Sequence, residues 1–176
     1  MSAAANDGED LRPALRARAT ALGLDRIGFT DATPPEEASH LDAWLSRSYH
    51  GTMDWMRKGR DRRMDPQRLL RGARSFIVAA QSYAAGDAQS ASNSTAEPVA
   101  RGERQPDRTP RGFVARYARG ADYHRELLAK LRDLAHFIEA ERPGHRALEY
   151  VDTGAILERM WAARAGVGWI GKNAMV

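Results

Sequence analysis

Two short stretches near the end of this 176-residue chain carry residue types that do chemistry. The first is Asp152, which directly follows the run RALEYV and stands just before a helical pattern. A carboxylate there can cap the first turn of the helix. It can also handle a proton at the carboxyl end of a strand, where ligand sites of α/β proteins open. The two roles conflict. A helix N-terminus stabilises the charged form, whereas a general acid must hold its proton at working pH. An acid at Asp152 therefore requires burial, or a bulky apolar ligand lying over it.

The second stretch is GVGWIGKN, Gly166 to Asn173. It contains G-x-G-x-x-G and nearly matches the P-loop pattern. Both patterns need a strand before them and a helix after them to bring a helix N-terminus to the phosphates. Here a helical pattern precedes the glycines, and Asn173 stands where a metal-binding hydroxyl belongs. Nucleotide binding through this loop is the weakest of the readings. Gly166 reads more simply as a left-handed cap on the preceding helix.

Composition narrows the chemistry further. With no cysteine, these residues form no disulfide, thiolate nucleophile, thiolate zinc site or cysteine-held iron–sulfur cluster. The five histidines show no metal-ligand spacing, so no metal site is expected. Net charge is +4, and the cations cluster between Arg57 and Arg74, against only Asp61 and Asp65. Such a run is either a solvated face or a phosphate-contacting one. Arg57, Arg62 and Arg63 are its candidate nucleic-acid contacts, and binding through them would weaken with salt.

The elements that must position these residues follow from periodicity. Leu11, Leu15, Ala19 and Leu22 mark a helix over 8–22, stopped by Gly23. RIGFT (26–30) is a short strand. Pro34 and Pro35 open a helix that buries Leu41, Trp44 and Leu45, and shorter helical turns follow at 53–58 and 65–70. SFIVAAQSY (75–83) suits a buried strand. Residues 84–112 hold almost no large apolar side chain and are expected to be a disordered surface loop. Phe113, Val114 and Tyr117 suggest an extended piece. A long helix over 122–140 carries Leu127, Leu128, Leu131, Leu134, Ala135 and Ile138. RALEYV (146–151) reads as a strand and 154–165 as a helix. The expected architecture is one domain over 1–176, an α/β (α+β) sandwich with a short sheet flanked by helices. The longest apolar run, Phe76 to Ala80, is far short of the roughly 20 residues that span a bilayer. The first residues show no secretory pattern, so a cytoplasmic protein without membrane contact is expected.

Three segments together resemble a known family: LDAWLSRSYHGTMDWM (41–56), RYARGADYH (116–124) and VDTGAILERMWAARAGVGWIGKN (151–173). In this order and spacing they resemble the N-terminal half of epoxyqueuosine reductase, a relative of reductive dehalogenases. RLLRGARSFIV (68–78) fits as well. The resemblance implies reduction of an epoxide on a modified base at the wobble position of tRNA, with cobalamin and two [4Fe-4S] clusters. It implies that Asp152 is the proton donor and that a corrin over it supplies the desolvation an acid needs. It also implies that Tyr117, Tyr123 and His124 lie near corrin and substrate, and that Gly171, Lys172 and Asn173 form the loop meeting the cofactor.

The chain departs from that pattern at Ala155, Met160, Trp161 and Ala174, and it has no cysteine to hold a cluster. The expectation is a chain truncated after residue 176 and inactive alone, leaving Trp169 and Ile170 exposed. The alternative is a non-catalytic corrinoid- or tRNA-binding module that partners a separate electron-transfer chain bearing the clusters.

Overall fold

The computed structural model describes residues 10–34, 36, 38–83 and 114–176. The segment expected to be a disordered loop, 84–112, lies outside the described residues, as does Phe113.

The first helix, α1 (Arg12–Ala21), starts with Pro13 in its first turn, where a missing N–H costs nothing. It buries Leu15 and Ala19 and ends in a Schellman cap: Gly23 N–H donates to Thr20 O and Leu24 N–H to Ala19 O, with Gly23 at φ +73°. Strand β1 (Arg26–Asp31) then pairs antiparallel with β2 (Ser75–Ala80), from Arg26 opposite Ala80 to Asp31 opposite Ser75. The chain between them forms three short helices, α2 (Ala38–Ser46), α3 (Asp54–Lys58) and α4 (Arg60–Met64), and a 3-10 turn at Pro66–Arg68. Among the described residues that follow, two helices form, α5 (Tyr123–Glu141) and α6 (Glu158–Arg164).

Strand alternation sorts the side chains into two packed faces. Ile27, Phe29, Ile77 and Ala79 pack with Leu15, Ala19, Leu24, Leu127, Leu131, Leu134 and Ile138, which joins one face of the sheet to α1 and α5. The other face meets α6. Trp161, only 2% exposed, stacks on Phe76 with ring centroids 3.9 Å apart. Gly28 is required there, since a Cβ on it would sit 2.2 Å from Ala165 O. Helices α1 and α5, the two-stranded sheet and α6 thus form the layers of a mixed α/β sandwich, as its periodicities imply.

Four local expectations differ from the structure. RALEYV (146–151) adds no strand: it runs beside α5, where Ala147 N–H donates to Glu139 and Glu149 pairs with Arg132 at 3.2 Å. Its polar groups are satisfied by a helix surface, so it needs no sheet. The last helix begins at Glu158 rather than Gly154, after a series of bends. Tyr117 lies in a 3-10 turn, Arg116–Ala118, not in an extended piece. Strand β2 ends at Ala80, because Ser82 N–H turns to Asp25 Oδ2 instead of a ladder partner.

Candidate functional site

The N-terminus of α5 meets the bend around Asp152. Asp122 caps α5 by accepting the His124 N–H at 3.0 Å, and its Oδ1 also lies 2.8 Å from His124 Nδ1. This cap fixes Tyr123 and His124 in the first turn, their rings stacked at 4.1 Å. Tyr117 meets Tyr123 edge-on at 5.8 Å, and Tyr83 meets Tyr117 at 6.2 Å. Tyr123 Oη donates a short hydrogen bond to Asp152 Oδ2. His124 Nε2 stands 3.9 Å from the same oxygen.

Asp152 is not the cap of the helix that follows; that helix starts six residues later. It occupies a left-handed conformation, φ +54°, and Thr153 N–H donates across it to Val151 O at 2.6 Å. A three-residue turn of this hand is rare for a residue with a side chain and persists only when its surroundings over-determine it. Two contacts do so. Tyr123 holds the carboxylate, and the Asp152 backbone N–H donates to Glu158 Oε1 at 2.9 Å.

The charges separate. The Tyr123 hydroxyl, with help from Glu158 and His124, holds the Asp152 carboxyl below its ordinary range despite partial burial. The same bond pushes the Tyr123 phenol up to about 12. Burial, then the bond to Asp152 and its charge, push Glu158 up to about 7. Below about 7 the proton of this pair resides on Glu158, and Asp152 carries the charge.

The GKN loop is held from within and from α6. Gly171 N–H donates to Met175 O at 2.7 Å, Ala174 N–H to Gly171 O at 2.9 Å, and Met175 N–H to Asn173 Oδ1 at 3.2 Å. Arg159 reaches across to Ala174 O at 2.5 Å. Adjacent residues in the first turn of α6, Glu158 and Arg159, thereby grip the Asp152 turn and the GKN loop together. Gly166 at φ +72° completes a Schellman cap on α6, with bonds to Ala163 O and from Val167 N–H to Ala162 O. A helix thus precedes the glycines, and the loop lacks P-loop geometry. Lys172 and Asn173 are exposed, as are Trp169 (82%) and Ile170 (50%).

The arginine run divides. Arg57 is exposed but paired with Asp54 at 2.9 Å, and Arg62 is exposed. Arg60 is tied to Asp42 through two bonds of 2.5 and 2.6 Å. Arg63 is only 7% exposed and lies over the Trp55 ring, so it is no surface contact in this structure. Its aliphatic stem and planar head fill space under α3. Among the described residues no cluster of three or more His, Cys, Asp or Glu side chains could hold a metal ion, and no helix is long and apolar enough to cross a membrane.

Sequence reasoning passed over Asp122 and Glu158. Asp122 was legible as a capping residue directly before a helical run. Glu158 was not, because the bends that bring it back to Asp152 follow no periodic pattern.

Fold and site define a mixed α/β domain that presents an aspartate, held by a tyrosine and paired with a second carboxyl, at the mouth of an aromatic cluster. Residues 63–153, just over half the chain, match the family model described as epoxyqueuosine reductase QueG, DUF1730. The chain belongs to the epoxyqueuosine reductase family. It is 43% identical over 162 residues to the epoxyqueuosine reductase of Gloeobacter violaceus, covering 91% of this chain and 45% of that one. It superposes with TM-score 0.69 and 28% identity on an epoxyqueuosine reductase crystallised with an epoxyqueuosine-modified tRNA-Tyr stem loop. It superposes with TM-score 0.68 and 26% identity on the Bacillus subtilis enzyme, in a structure whose aspartate-bearing catalytic loop is swung out of the active site. Each superposition covers 94% of this chain and 40% of the other. The chain therefore spans less than half the length of these relatives.

Proposed function

We propose that this chain forms the substrate-side region of a cytoplasmic, cobalamin-dependent reductase that converts epoxyqueuosine in tRNA to queuosine, with Asp152 as proton donor. The observation that carries the reading is the left-handed turn that presents the Asp152 carboxylate beside Tyr123 and His124. Removing the epoxide oxygen takes two electrons and two protons. Both C–O bonds break, an alkene forms between the carbons, and the oxygen leaves as water. Cobalamin, when bound, supplies the reducing equivalents. The chain's own part is to orient the epoxide and deliver a proton to its oxygen.

The residues suit a large, flat, amide-fringed group. Tyr117 is half exposed and offers an apolar face, while Lys172 and Asn173 offer polar groups to a fringe of amides. These residues, with Tyr123, His124 and Gly171, would hold it. A ring system over Asp152 would withdraw water from its carboxyl and raise an affinity for protons that is low without it. The iron–sulfur clusters do not fit these residues, because the chain has no cysteine, and no step is assigned to them. Electrons then come from a separate chain or from a region of the relatives that this chain does not span. The absence of cysteine also favours a second reading, a corrinoid- or tRNA-binding module without catalysis. Arg57 and Arg62 are the surface cations for tRNA phosphates under either reading.

Titrating the chain with cobalamin and following its visible spectrum tests the proposal. A saturable shift toward the base-off form is expected, altered in Asp152→Asn. An unchanged spectrum at all concentrations would leave family membership without a corrin site.

A further inference from the structure

We propose that Glu158 is a positioning residue, a proton-operated latch that closes the Asp152 turn when its carboxyl is protonated and frees it when charged. The latch stands on geometry. The turn at Asp152 is strained, so something must hold it. Glu158 Oε1 accepts the Asp152 backbone N–H at 2.9 Å, and this contact brings the Glu158 carboxyl into electrostatic reach of the Asp152 carboxyl. A protonated Glu158 serves both contacts at once: one oxygen accepts from the backbone, and the hydroxyl donates to the Asp152 carboxylate. A charged Glu158 keeps only the first and sets a second negative charge against the first. The turn then loses a contact and gains a repulsion.

The surroundings place that change near neutral pH. Burial and the neighbouring Asp152 charge push Glu158 up to about 7. Among the described residues, charged and titratable groups reach the pair from two helices. Helix α5 contributes Asp122, Tyr123 and His124, with the Asp122–His124 pair at 2.8 Å. Helix α6 contributes Arg159, whose charge favours the ionised Glu158 but whose head is committed to Ala174 O. His124 is the group that could counterfeit the signal, because its Nε2 stands 3.9 Å from Asp152 Oδ2.

The purpose of the latch rests on the reading of Asp152 as proton donor; the latch itself does not. With Glu158 protonated, the acid is held toward Tyr123 and His124 and has a proton beside it. With Glu158 charged, the turn can leave that position.

The test is an amide NMR titration of the whole chain without cofactor. The Asp152 and Thr153 amide shifts should move together with a midpoint near 7. In Glu158→Gln, whose side chain keeps one acceptor and one donor, both amides should stay at their low-pH positions with no inflection. In His124→Gln the inflection should persist. An inflection that survives Glu158→Gln, or that vanishes only in His124→Gln, overturns the latch. Should Glu158→Gln not fold, the wild-type Glu158 carboxyl carbon decides: a midpoint near 7 supports the latch, and one near its ordinary 4.5 overturns it. A chain that ignores cobalamin yet shows the Glu158-dependent inflection defeats the functional reading alone.

Discussion

Gly28→Ala should be the most damaging single-methyl change in the sheet. Gly28 lies on the face of β1 that meets α6, opposite Val78. A Cβ there would stand 2.2 Å from Ala165 O, 3.0 Å from Ala165 C and 2.9 Å from Val167 Cγ2. Two of these atoms are backbone at the capped end of α6, so no rotamer change relieves them. The helix end must retreat by about 1 Å to restore ordinary contact, which loosens Trp161 on Phe76. Overpacking costs about 1–3 kcal/mol, and the rigid neighbours place this case near about 3 kcal/mol. For a chain of this length each kcal/mol lowers Tm by about 2–4 °C, so the expected loss is roughly 6–12 °C. Urea unfolding followed by circular dichroism measures it. Tryptophan emission should redshift at low urea as the Phe76–Trp161 stack opens, above the background of exposed Trp169. A loss below about 0.5 kcal/mol would refute the close approach of α6 to the sheet.

Other perturbations have comparably definite outcomes. Trp161→Ala should cost about 3–5 kcal/mol in chemical denaturation, since it empties the centre of the α6 layer. Glu158 makes stability depend on pH in an unusual direction: folded Glu158 keeps a proton that the unfolded chain releases near 4.5. Its contribution is full below 4.5 and is lost as pH rises through 7, about 1–2 kcal/mol after allowance for solvent screening. The lowered Asp152 contributes with opposite sign, its stability present above the ordinary carboxylate range and lost on acidification. Denaturation midpoints of wild type and Glu158→Gln across pH 4.5–8 separate the two. Tyr123→Phe should raise the Asp152 carboxyl toward its ordinary range, read from its side-chain carbon shift, because the largest cause of its lowering is removed.

The parts of the fold with one strong period were legible in the residues. Leu15 and Ala19 on α1, Leu127 to Ile138 on α5, and the two apolar strands found their partners where spacing placed them. What spacing could not show was competition between partners. RALEYV reads as a strand, yet Glu139 and Arg132 of α5 engage its polar groups before any sheet edge does. Arg63 belongs by composition to a solvated run, but the close approach at Gly59 and the Trp55 ring draw it inward. At the site, the Tyr-His pair and Asp152 could be singled out by residue type and motif. Their meeting through Tyr123 Oη, and the part of Glu158, depend on a left-handed turn and a series of bends that no local rule encodes.

The proposed role of Asp152 is to hand a proton to the departing epoxide oxygen. The direct measurement is reduction of an epoxyqueuosine-bearing tRNA stem loop by the chain, cobalamin and titanium(III) citrate as electron source, with nucleosides resolved by mass spectrometry. A product lacking one oxygen is expected with wild type, and a rate lower by roughly 10²–10⁴-fold in Asp152→Asn. Equal rates for the two proteins would contradict it.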